Sequence, residues 1–241
     1  MKTRGVVLKA QDIKESDKLV TVFTEDFGKM NILVKGANRA KSAMLPLTLQ
    51  FCFCDLVLFK GKSMYTINEG NVIESFQNFL EDIDSLAYGS YLIELIDISL
   101  SEGEVNQYIF RELITCYYIM KNRASSMEAI VVYFQCKLLY YTGHGITLDR
   151  CSVCKSKIIS SNYFNFQTIG GICNSCEKKN GISVSYEAYS LLKYIMKIKL
   201  EDIARINLSN DTFKEIQKIL LYLISENYSR KPKSLEILNL F

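Results

Sequence analysis

The stretch that organises this chain reads Cys151-Ser152-Val153-Cys154 and, after eighteen further residues, Cys173-Asn174-Ser175-Cys176. Two residues between cysteines let one tight turn direct both sulfur atoms at one point. Two such knuckles supply four thiolates for a tetrahedral zinc ion. The spacing therefore predicts a zinc module over residues 149–181. Its predicted ligands are Cys151, Cys154, Cys173 and Cys176.

Four protein thiolates leave no open coordination position, so the predicted zinc stabilises the fold and does no chemistry. An iron–sulfur cluster, buried core thiols and a redox pair are the other interpretations of this pattern. Basic residues beside the knuckles are expected to offset the negative charge of the centre; they are Arg150, Lys155, Lys157, Lys178 and Lys179. The other cysteines are predicted to be small buried side chains; they are Cys52, Cys54, Cys116 and Cys136.

Towards the N-terminus, residues 1–80 have the pattern of short β-strands. Apolar runs cover 4–9, 18–24, 30–34, 47–59 and 64–67, and turn signals lie at Asp26-Phe27-Gly28-Lys29 and Gly61-Lys62. Residues 47, 49, 51 and 53 alternate as one strand face. Five short strands bury little as an open sheet, whereas closure removes the exposed edges, so we predict an OB-fold barrel. The alternative is a small open sheet packed on helices.

The rest of the chain has helical periodicity. Helices are predicted over 83–100, 105–121, 127–142, 186–198 and 212–226, the last with a capping box at Thr212 and Glu215. Their apolar stripes indicate a packed helical domain formed by residues 81–148 and 182–241, interrupted by the zinc module. The fold class is therefore α+β and multidomain.

Charge is distributed unevenly, although the net charge is only +3. The segment 29–62 carries six basic residues against one acidic residue, Asp55. A basic loop on a small barrel can follow a phosphate backbone, so we predict a DNA contact there. The candidate residues are Lys29, Lys35, Arg39, Lys41, Lys60 and Lys62. Two alternatives are that these side chains are merely solvated, and that DNA lies on the lysines beside the zinc.

Aromatic side chains in the same region could stack bases. The candidates are Phe51, Phe53 and Tyr65, which on strands are equally expected in the core.

Signs of catalysis are missing from the sequence. The one histidine, His144, has no accompanying nucleophile motif, and we interpret it as a loop residue before the zinc module. No phosphate-binding glycine loop is present. These observations predict a binding protein, with no enzymatic activity and no small-molecule substrate. The absence of an apolar membrane span or export signal predicts a cytoplasmic protein without membrane contact.

The order of these motifs resembles the RecO family of bacterial recombination mediators. The resemblance covers nearly the whole chain, and Ile146, where the family often has proline, affects only the expected loop shape. It is carried by Gly5-Val6-Val7-Leu8-Lys9, Asp17-Lys18-Leu19-Val20-Thr21-Val22-Phe23-Thr24, Phe27-Gly28-Lys29, Lys35-Gly36-Ala37-Asn38-Arg39, Lys41-Ser42, Lys60-Gly61-Lys62, Leu148-Asp149-Arg150-Cys151-Ser152-Val153-Cys154, Gly170-Gly171-Ile172-Cys173 and Lys233-Ser234-Leu235.

The resemblance implies an N-terminal OB-fold, a helical domain and a zinc module. It also implies binding of single- and double-stranded DNA, strand annealing, and recombinase loading together with RecR and the single-strand-binding protein SSB. A rival function is an adaptor of the translation or transcription machinery that uses an OB-fold and a zinc ribbon to bind RNA or protein.

Overall fold

A computed structural model describes residues 1–13, 15–62, 64–206 and 208–228, together with Pro232 and Ser234. Lys233 and Leu235, which contribute to the family resemblance, lie outside the described residues, as does most of the predicted helical range beyond residue 228. The chain forms two compact units, Met1–Tyr117 and Tyr118–Phe241.

The first unit is built on a closed five-stranded barrel, as predicted. Its strands are β1 (Lys2–Asp12), β2 (Lys18–Thr24), β3 (Gly28–Val34), β4 (Phe53–Lys60) and β5 (Tyr65–Glu74). They pair in the order β1-β2-β3-β5-β4, and β1 closes on β4. This is the OB-fold arrangement. Side chains alternate along β3, with Met30, Ile32 and Val34 in the core and the intervening residues outside.

One predicted strand, 47–59, is wrong in its first half. Pro46 lies in the first turn of a short 3₁₀ helix (Leu45–Thr48), and Thr48 Oγ1 donates to Leu45 O at 2.7 Å. Phe51 then adopts a left-handed backbone with φ 72°, so β4 begins only at Phe53. The residues that were predicted to share one strand face therefore differ in burial: Leu49 is exposed, whereas Leu47 and Phe51 are buried.

Two helices complete the first unit, α1 (Ile83–Ser99) and most of α2 (Gln107–Lys121). An aromatic cluster joins them to the segments that flank β4 and β5. Tyr117 of α2 meets the rings of Phe51, Phe76 and Phe79 edge-on, with ring centroids 5.3–5.9 Å apart. Its hydroxyl donates to Gly89 O of α1 at 3.3 Å. Edge-on pairs of this kind fix the relative position of the helices and the barrel within the unit.

The second unit contains α3 (Met127–Tyr141), α4 (Tyr186–Ile195) and α5 (Asn210–Tyr228). Between α3 and α4 lies a small sheet of three strands, β6 (Tyr163–Asn165), β7 (Gly170–Gly171) and β8 (Gly181–Ser183), in the order β7-β6-β8. Of the four cysteines of the predicted zinc module, Cys151 and Cys154 precede β6, and Cys173 and Cys176 lie between β7 and β8. Among the described residues, no helix is both long enough and apolar enough to cross a membrane.

Candidate metal centre and nucleic-acid interface

The four predicted ligands come together. The sulfur atoms of Cys151, Cys154, Cys173 and Cys176 all lie within 4.8 Å of one another, and those of Cys154 and Cys173 are 3.7 Å apart. Thiolates that surround one point at this separation are the donor set of a tetrahedral metal site. The arrangement can hold a metal ion, as the spacing predicts.

The first knuckle is a hairpin stabilised by its own backbone. Cys151 N–H donates to Ser156 O at 2.8 Å, and Lys155 N–H donates to Cys151 O at 3.0 Å. Lys155 closes the turn in a left-handed conformation with φ 63°. The second knuckle joins the first through Cys173 N–H, which donates to the Cys151 sulfur at 3.4 Å. Amide donors of this kind stabilise a thiolate, which is the form that binds metal.

Two of the four cysteines, Cys154 and Cys176, have pKa values that are shifted in opposite directions. The hydroxyl of Ser156, 3.0 Å from the Cys154 sulfur, lowers the pKa of that thiol to about 6. The pKa of Cys176 rises to about 12, chiefly because its thiol bonds to Cys173. The lowered pKa of Cys154 favours its thiolate, which is the form that binds a metal ion.

Gly171 lies against the Tyr189 side chain of α4. A Cβ atom on Gly171 would come to 2.6 Å from the ring carbon that bears the Tyr189 hydroxyl. Gly171 O accepts from Ser152 N–H of the first knuckle at 2.9 Å. The Gly170-Gly171 pair forms β7, and the absence of a side chain on Gly171 lets the Tyr189 ring contact its backbone.

One stripe of α4 holds the module in place. Tyr189 and Lys193 lie four residues apart on one face of α4, and Lys197 follows four residues later, just beyond the end of the helix. Tyr189 Oη donates to Leu148 O at 3.0 Å. Lys193 Nζ contacts Asp149 Oδ1 at 2.7 Å and also donates to the carbonyl of Ile159 at 2.9 Å.

Asp149 accepts from two lysines at once, because Lys197 Nζ lies 2.8 Å from its Oδ2. The bonds to Lys193 and then Lys197 lower the pKa of Asp149 to about 2. Sequence reasoning missed these roles. The sequence signal that could have indicated them is the four-residue spacing of Tyr189, Lys193 and Lys197, which follow the cysteine module in the chain.

The basic residues that flank the knuckles are mostly engaged locally. Lys155 Nζ donates to Ser152 O at 2.8 Å, Lys178 Nζ to Asn162 Oδ1 at 2.6 Å, and Lys179 pairs with Glu177 at 2.6 Å.

His144 lies apart from the cysteine cluster. Its backbone N–H donates to Leu139 O at 2.7 Å, which closes the end of α3, and its ring meets Tyr228 edge-on at 5.7 Å. This agrees with its interpretation as a loop residue.

The other four cysteines are buried, as predicted. Cys52 and Cys54 belong to the barrel core, while Cys116 and Cys136 lie on α2 and α3. Burial raises the pKa of Cys136 to about 12, so this thiol is neutral.

Three of the six predicted DNA contacts lie together on the loop 35–42, which we call the basic loop. Lys35, Arg39 and Lys41 are exposed, and among the described residues none of them has an ion-pair partner. The loop is nevertheless fixed. Gly36 N–H donates to Asp17 Oδ1 at 2.9 Å, and the fully buried Ala37 packs in the barrel core.

A second tether joins the basic loop to the β1–β2 hairpin. Asn38 Nδ2 donates to Asp12 Oδ1 at 2.6 Å, and Lys18 pairs with the same carboxylate at 2.9 Å. The bond to Asn38, followed by that to Lys18, lowers the pKa of Asp12. The backbone of the basic loop is thus held in position while its charged side chains remain free.

Lys29 has a different environment. Its ammonium contacts Asp97 Oδ1 and Asp97 O, both at 2.8 Å, and only 12% of its side chain is exposed. The neighbouring Gly28, with φ 68°, leaves no room for a side chain because a Cβ atom would collide with the Glu104 backbone. Phe27-Gly28-Lys29 therefore packs the barrel onto the α1–α2 connection, and the Lys29 charge is already neutralised.

Lys60 and Lys62 lie on the β4–β5 hairpin, away from the basic loop. Strand β5 runs parallel to β3 with Tyr65 beside Ile32. The hairpin that precedes Tyr65 therefore lies towards the start of β3, whereas the basic loop follows the end of β3. Lys60 Nζ lies 6.0 Å above the centre of the Tyr65 ring. Phe51 and Phe53 are buried core residues.

An OB-fold barrel with an exposed basic loop, combined with a four-cysteine metal module, defines a class of nucleic-acid-binding protein. Comparison with known proteins agrees. The chain belongs to the RecO family: the family model described as Recombination protein O N terminal matches residues 1–76, and Recombination protein O C terminal matches residues 80–236.

Relatives of nearly the same length carry the name DNA repair protein RecO. The one from Clostridium acetobutylicum is 48% identical over 239 residues, which cover 99% of this chain and 97% of that protein. The one from Clostridium kluyveri is 44% identical over 98% of this chain and 92% of that protein. The one from Caldicellulosiruptor bescii is 32% identical over 98% of this chain and 96% of that protein.

Proposed function

We propose that this protein is a DNA repair and recombination mediator that binds single- and double-stranded DNA and promotes strand annealing. The observation that carries the proposal is the basic loop, whose three cationic side chains are unpaired among the described residues. Asp17 binds the loop backbone, Asp12 binds the Asn38 side chain, and Ala37 is buried. Preorganised cations bind phosphates and release the counterions condensed on DNA. Family membership favours DNA over the RNA or protein partners of a translation or transcription adaptor.

In this proposal residues 1–80 are the nucleic-acid-binding domain, 81–148 and 182–241 the helical domain, and 149–181 the zinc module. Lys60 and Lys62 provide a second phosphate contact on the hairpin. Lys29 contributes least, because Asp97 already neutralises it. Annealing follows when bound cations screen two strands from each other, so that complementary bases meet without covalent chemistry.

The metal in the proposal is one structural zinc ion per chain. Four sulfur ligands and the absence of an open position suit zinc. When bound, the ion supplies stability to a module with little apolar core of its own. Tyr189, Lys193 and Asp149 orient the two knuckles towards the ion from outside the ligand set.

The partners in the proposal are RecR and the single-strand-binding protein SSB, with which the chain loads a recombinase on coated DNA. This part rests on family membership. We also propose that the chain has no enzymatic activity, so purified protein should show neither nuclease nor nucleotide hydrolysis activity above that of a mock preparation.

The experiment that tests the proposal is annealing of complementary oligonucleotides, bare and coated with SSB, with and without RecR. We expect the wild-type chain to accelerate annealing, and the triple variant Lys35→Ala, Arg39→Ala, Lys41→Ala to lose most of that effect. A matched control removes three exposed lysines elsewhere, at Lys199, Lys214 and Lys218. Wild-type protein that neither binds nor anneals DNA would refute the proposed function.

A further inference from the structure

The sulfur atoms of the metal module differ in their exposure to solvent. Cys154 is exposed, whereas the other three cysteines of the cluster are half-buried or, for Cys151, fully buried. On either side of Cys154, Val153 and Lys155 are exposed as well, so the tip of the first knuckle is open. Oxidation of cysteine follows exposure and thiolate character, and a cysteine that ligates a metal is a thiolate. Cys154 is therefore the sulfur of the cluster that an oxidant in solution meets first.

A second sulfur lies within reach of Cys154, on the other knuckle. The sulfur atoms of Cys154 and Cys173 are 3.7 Å apart, and a disulfide needs a separation of about 2 Å, so a small movement of the two side chains joins them. Cys151, the other cysteine of the first knuckle, is less available. It is fully buried, and its sulfur accepts from Cys173 N–H at 3.4 Å. The geometry therefore favours a bond between the knuckles over a bond within the first knuckle.

Bonds that involve no sulfur atom also hold the two knuckles in place. Ser152 N–H of the first knuckle donates to Gly171 O at 2.9 Å. Ile172 N–H, directly before the second knuckle, donates to Tyr163 O of β6 at 3.2 Å. These bonds persist when the sulfur atoms change their partners, so the two knuckles stay close together.

Helix α4 holds the first knuckle from outside. Tyr189 Oη donates to Leu148 O at 3.0 Å, ahead of the knuckle in the chain. Lys193 Nζ donates to the carbonyls of Ile158 and Ile159, which follow the knuckle, at 3.3 and 2.9 Å. We call these helix contacts and the sulfur-free bonds between the knuckles the frame of the module. The frame positions the four cysteines independently of the bonds that their sulfur atoms make.

We infer that Cys154 and Cys173 form a redox switch: a hydroperoxide joins their sulfur atoms in a disulfide, and the zinc ion leaves because two of its four ligands are lost. The inference rests on the zinc ion of the proposed function and adds a regulation of that site. Because the frame keeps the cysteines in position, reduction by a dithiol restores the four ligands and zinc binds again.

The oxidation takes place in two steps at sulfur. The Cys154 thiolate attacks one oxygen of hydrogen peroxide, so that an S–O bond forms, the O–O bond breaks and hydroxide leaves. The Cys173 thiolate then attacks the sulfenic sulfur of Cys154, so that the S–S bond forms, the S–O bond breaks and a second hydroxide leaves. The two thiolates together lose the two electrons that the peroxide gains. Protons from solvent convert both hydroxides to water.

The test treats zinc-loaded protein with hydrogen peroxide and follows the released zinc with a zinc-binding dye. We expect loss of the bound zinc, about one ion per chain. Mass spectrometry with fragmentation of the linked peptides should find a disulfide between Cys154 and Cys173. Cys116 and Cys136, which are buried, should remain reduced and serve as the internal control. Dithiothreitol followed by zinc should restore the metal content.

A variant that keeps all four ligands tests the frame. Tyr189→Phe removes the hydroxyl that binds Leu148 O, so we expect it to release zinc as wild type does and to recover less of it after reduction. Tyr194→Phe, at an exposed residue of the same helix, is the matched control and should recover zinc as wild type does. Equal recovery by the two variants would contradict the role of the Tyr189 contact in the frame.

Three results would overturn the switch. The first is zinc that stays bound at a peroxide concentration that fully oxidises a free thiol such as N-acetylcysteine. The second is a disulfide confined to one knuckle, and the third is a metal content that reduction does not restore. Wild-type protein that contains no zinc would overturn the proposed metal centre together with the switch, whereas the other three results leave the metal centre intact.

Discussion

Asp149 illustrates how much of the metal centre depends on single side chains outside the ligand set. It precedes the first knuckle by two residues and binds two lysines, Lys193 of α4 and Lys197 just after the end of that helix. The four cysteines could be predicted because two-residue spacing is a local property of the sequence. The pairing of Asp149 with Lys193 could not, because it joins residues 44 positions apart whose approach depends on the fold.

Replacing one ligand should remove the metal. We expect purified wild-type protein to contain about one zinc ion per chain, and Cys151→Ser to contain far less, because a serine hydroxyl does not ionise to a ligand at neutral pH. Metal analysis of protein prepared under reducing conditions without chelators measures this. Cys136→Ser is the control, because Cys136 is buried away from the cluster. Wild-type protein without zinc, or with iron and sulfide instead, would contradict the assignment.

Removing the Asp149 charge should loosen the module without removing a ligand. We expect Asp149→Asn to release zinc to a competing chelator faster than wild type, by about 10-fold or less, because the first knuckle loses its link to α4. The paired control is Asp202→Asn, whose partner is Arg205.

The pH dependence of this effect follows from the lowered pKa of Asp149. With a pKa of about 2, the carboxylate stays ionised from about pH 8 to about pH 6, so the ratio of release rates should be constant across that interval. The contribution of the pair is present above the ordinary aspartate pKa and is lost only as pH falls through the folded value. A ratio that shrinks between pH 8 and pH 6 would show that another group is responsible.

At the scale of elements, periodicity predicted the five helices well but misassigned the cap of α5. The predicted capping box begins at Thr212, whereas α5 begins at Asn210 and Thr212 N–H donates to Ser209 Oγ at 3.2 Å. Glu215 instead accepts from Ser185 N–H at the start of α4. The sequence offers two possible N-caps, Ser209 and Thr212, three residues apart. The hydrogen bond from Ser185 to Glu215 joins residues that are distant in sequence, so local patterns do not reveal it.

The cap can be tested by removing one hydroxyl. Ser209→Ala should lower the free energy of unfolding by about 1 kcal/mol, because Thr212 N–H loses its acceptor. Ser225→Ala, near the other end of α5, should change stability less. Chemical denaturation of both variants measures the difference, and equal stabilities would remove Ser209 as the cap.

A buried amide pair joins α3 to α5. Gln135 and Gln217 are almost fully buried, and each amide donates to the other, at 3.1 Å and 2.9 Å. Gln217→Leu should destabilise the second unit by about 1–3 kcal/mol because it leaves a buried amide without this partner. The double variant Gln135→Leu, Gln217→Leu should lose less unfolding free energy than the two single variants lose in total. Losses of unfolding free energy that simply add in a double-mutant cycle would contradict this coupling.

At the scale of the whole molecule, the sequence predicted the barrel because five short strands need closure. It could not separate the six basic residues, which lie within 34 positions of each other in sequence. The structure divides them into the basic loop, the β4–β5 hairpin and the neutralised Lys29. The partner of Lys29 is Asp97, 68 residues away, so only the folded chain distinguishes a structural lysine from a candidate DNA contact.

The salt dependence of DNA binding tests the central claim most directly. The affinity of single-stranded DNA should fall with salt, and its log–log slope should be smaller by roughly 0.7 for each phosphate contact that is lost. The triple variant Lys35→Ala, Arg39→Ala, Lys41→Ala should therefore lose about 2 from the slope, with similar losses of affinity for all sequences. The Lys199, Lys214 and Lys218 control should keep the wild-type slope. An unchanged slope in the folded triple variant, with the loss appearing instead on replacing Lys155, Lys157, Lys178 and Lys179, would contradict the account.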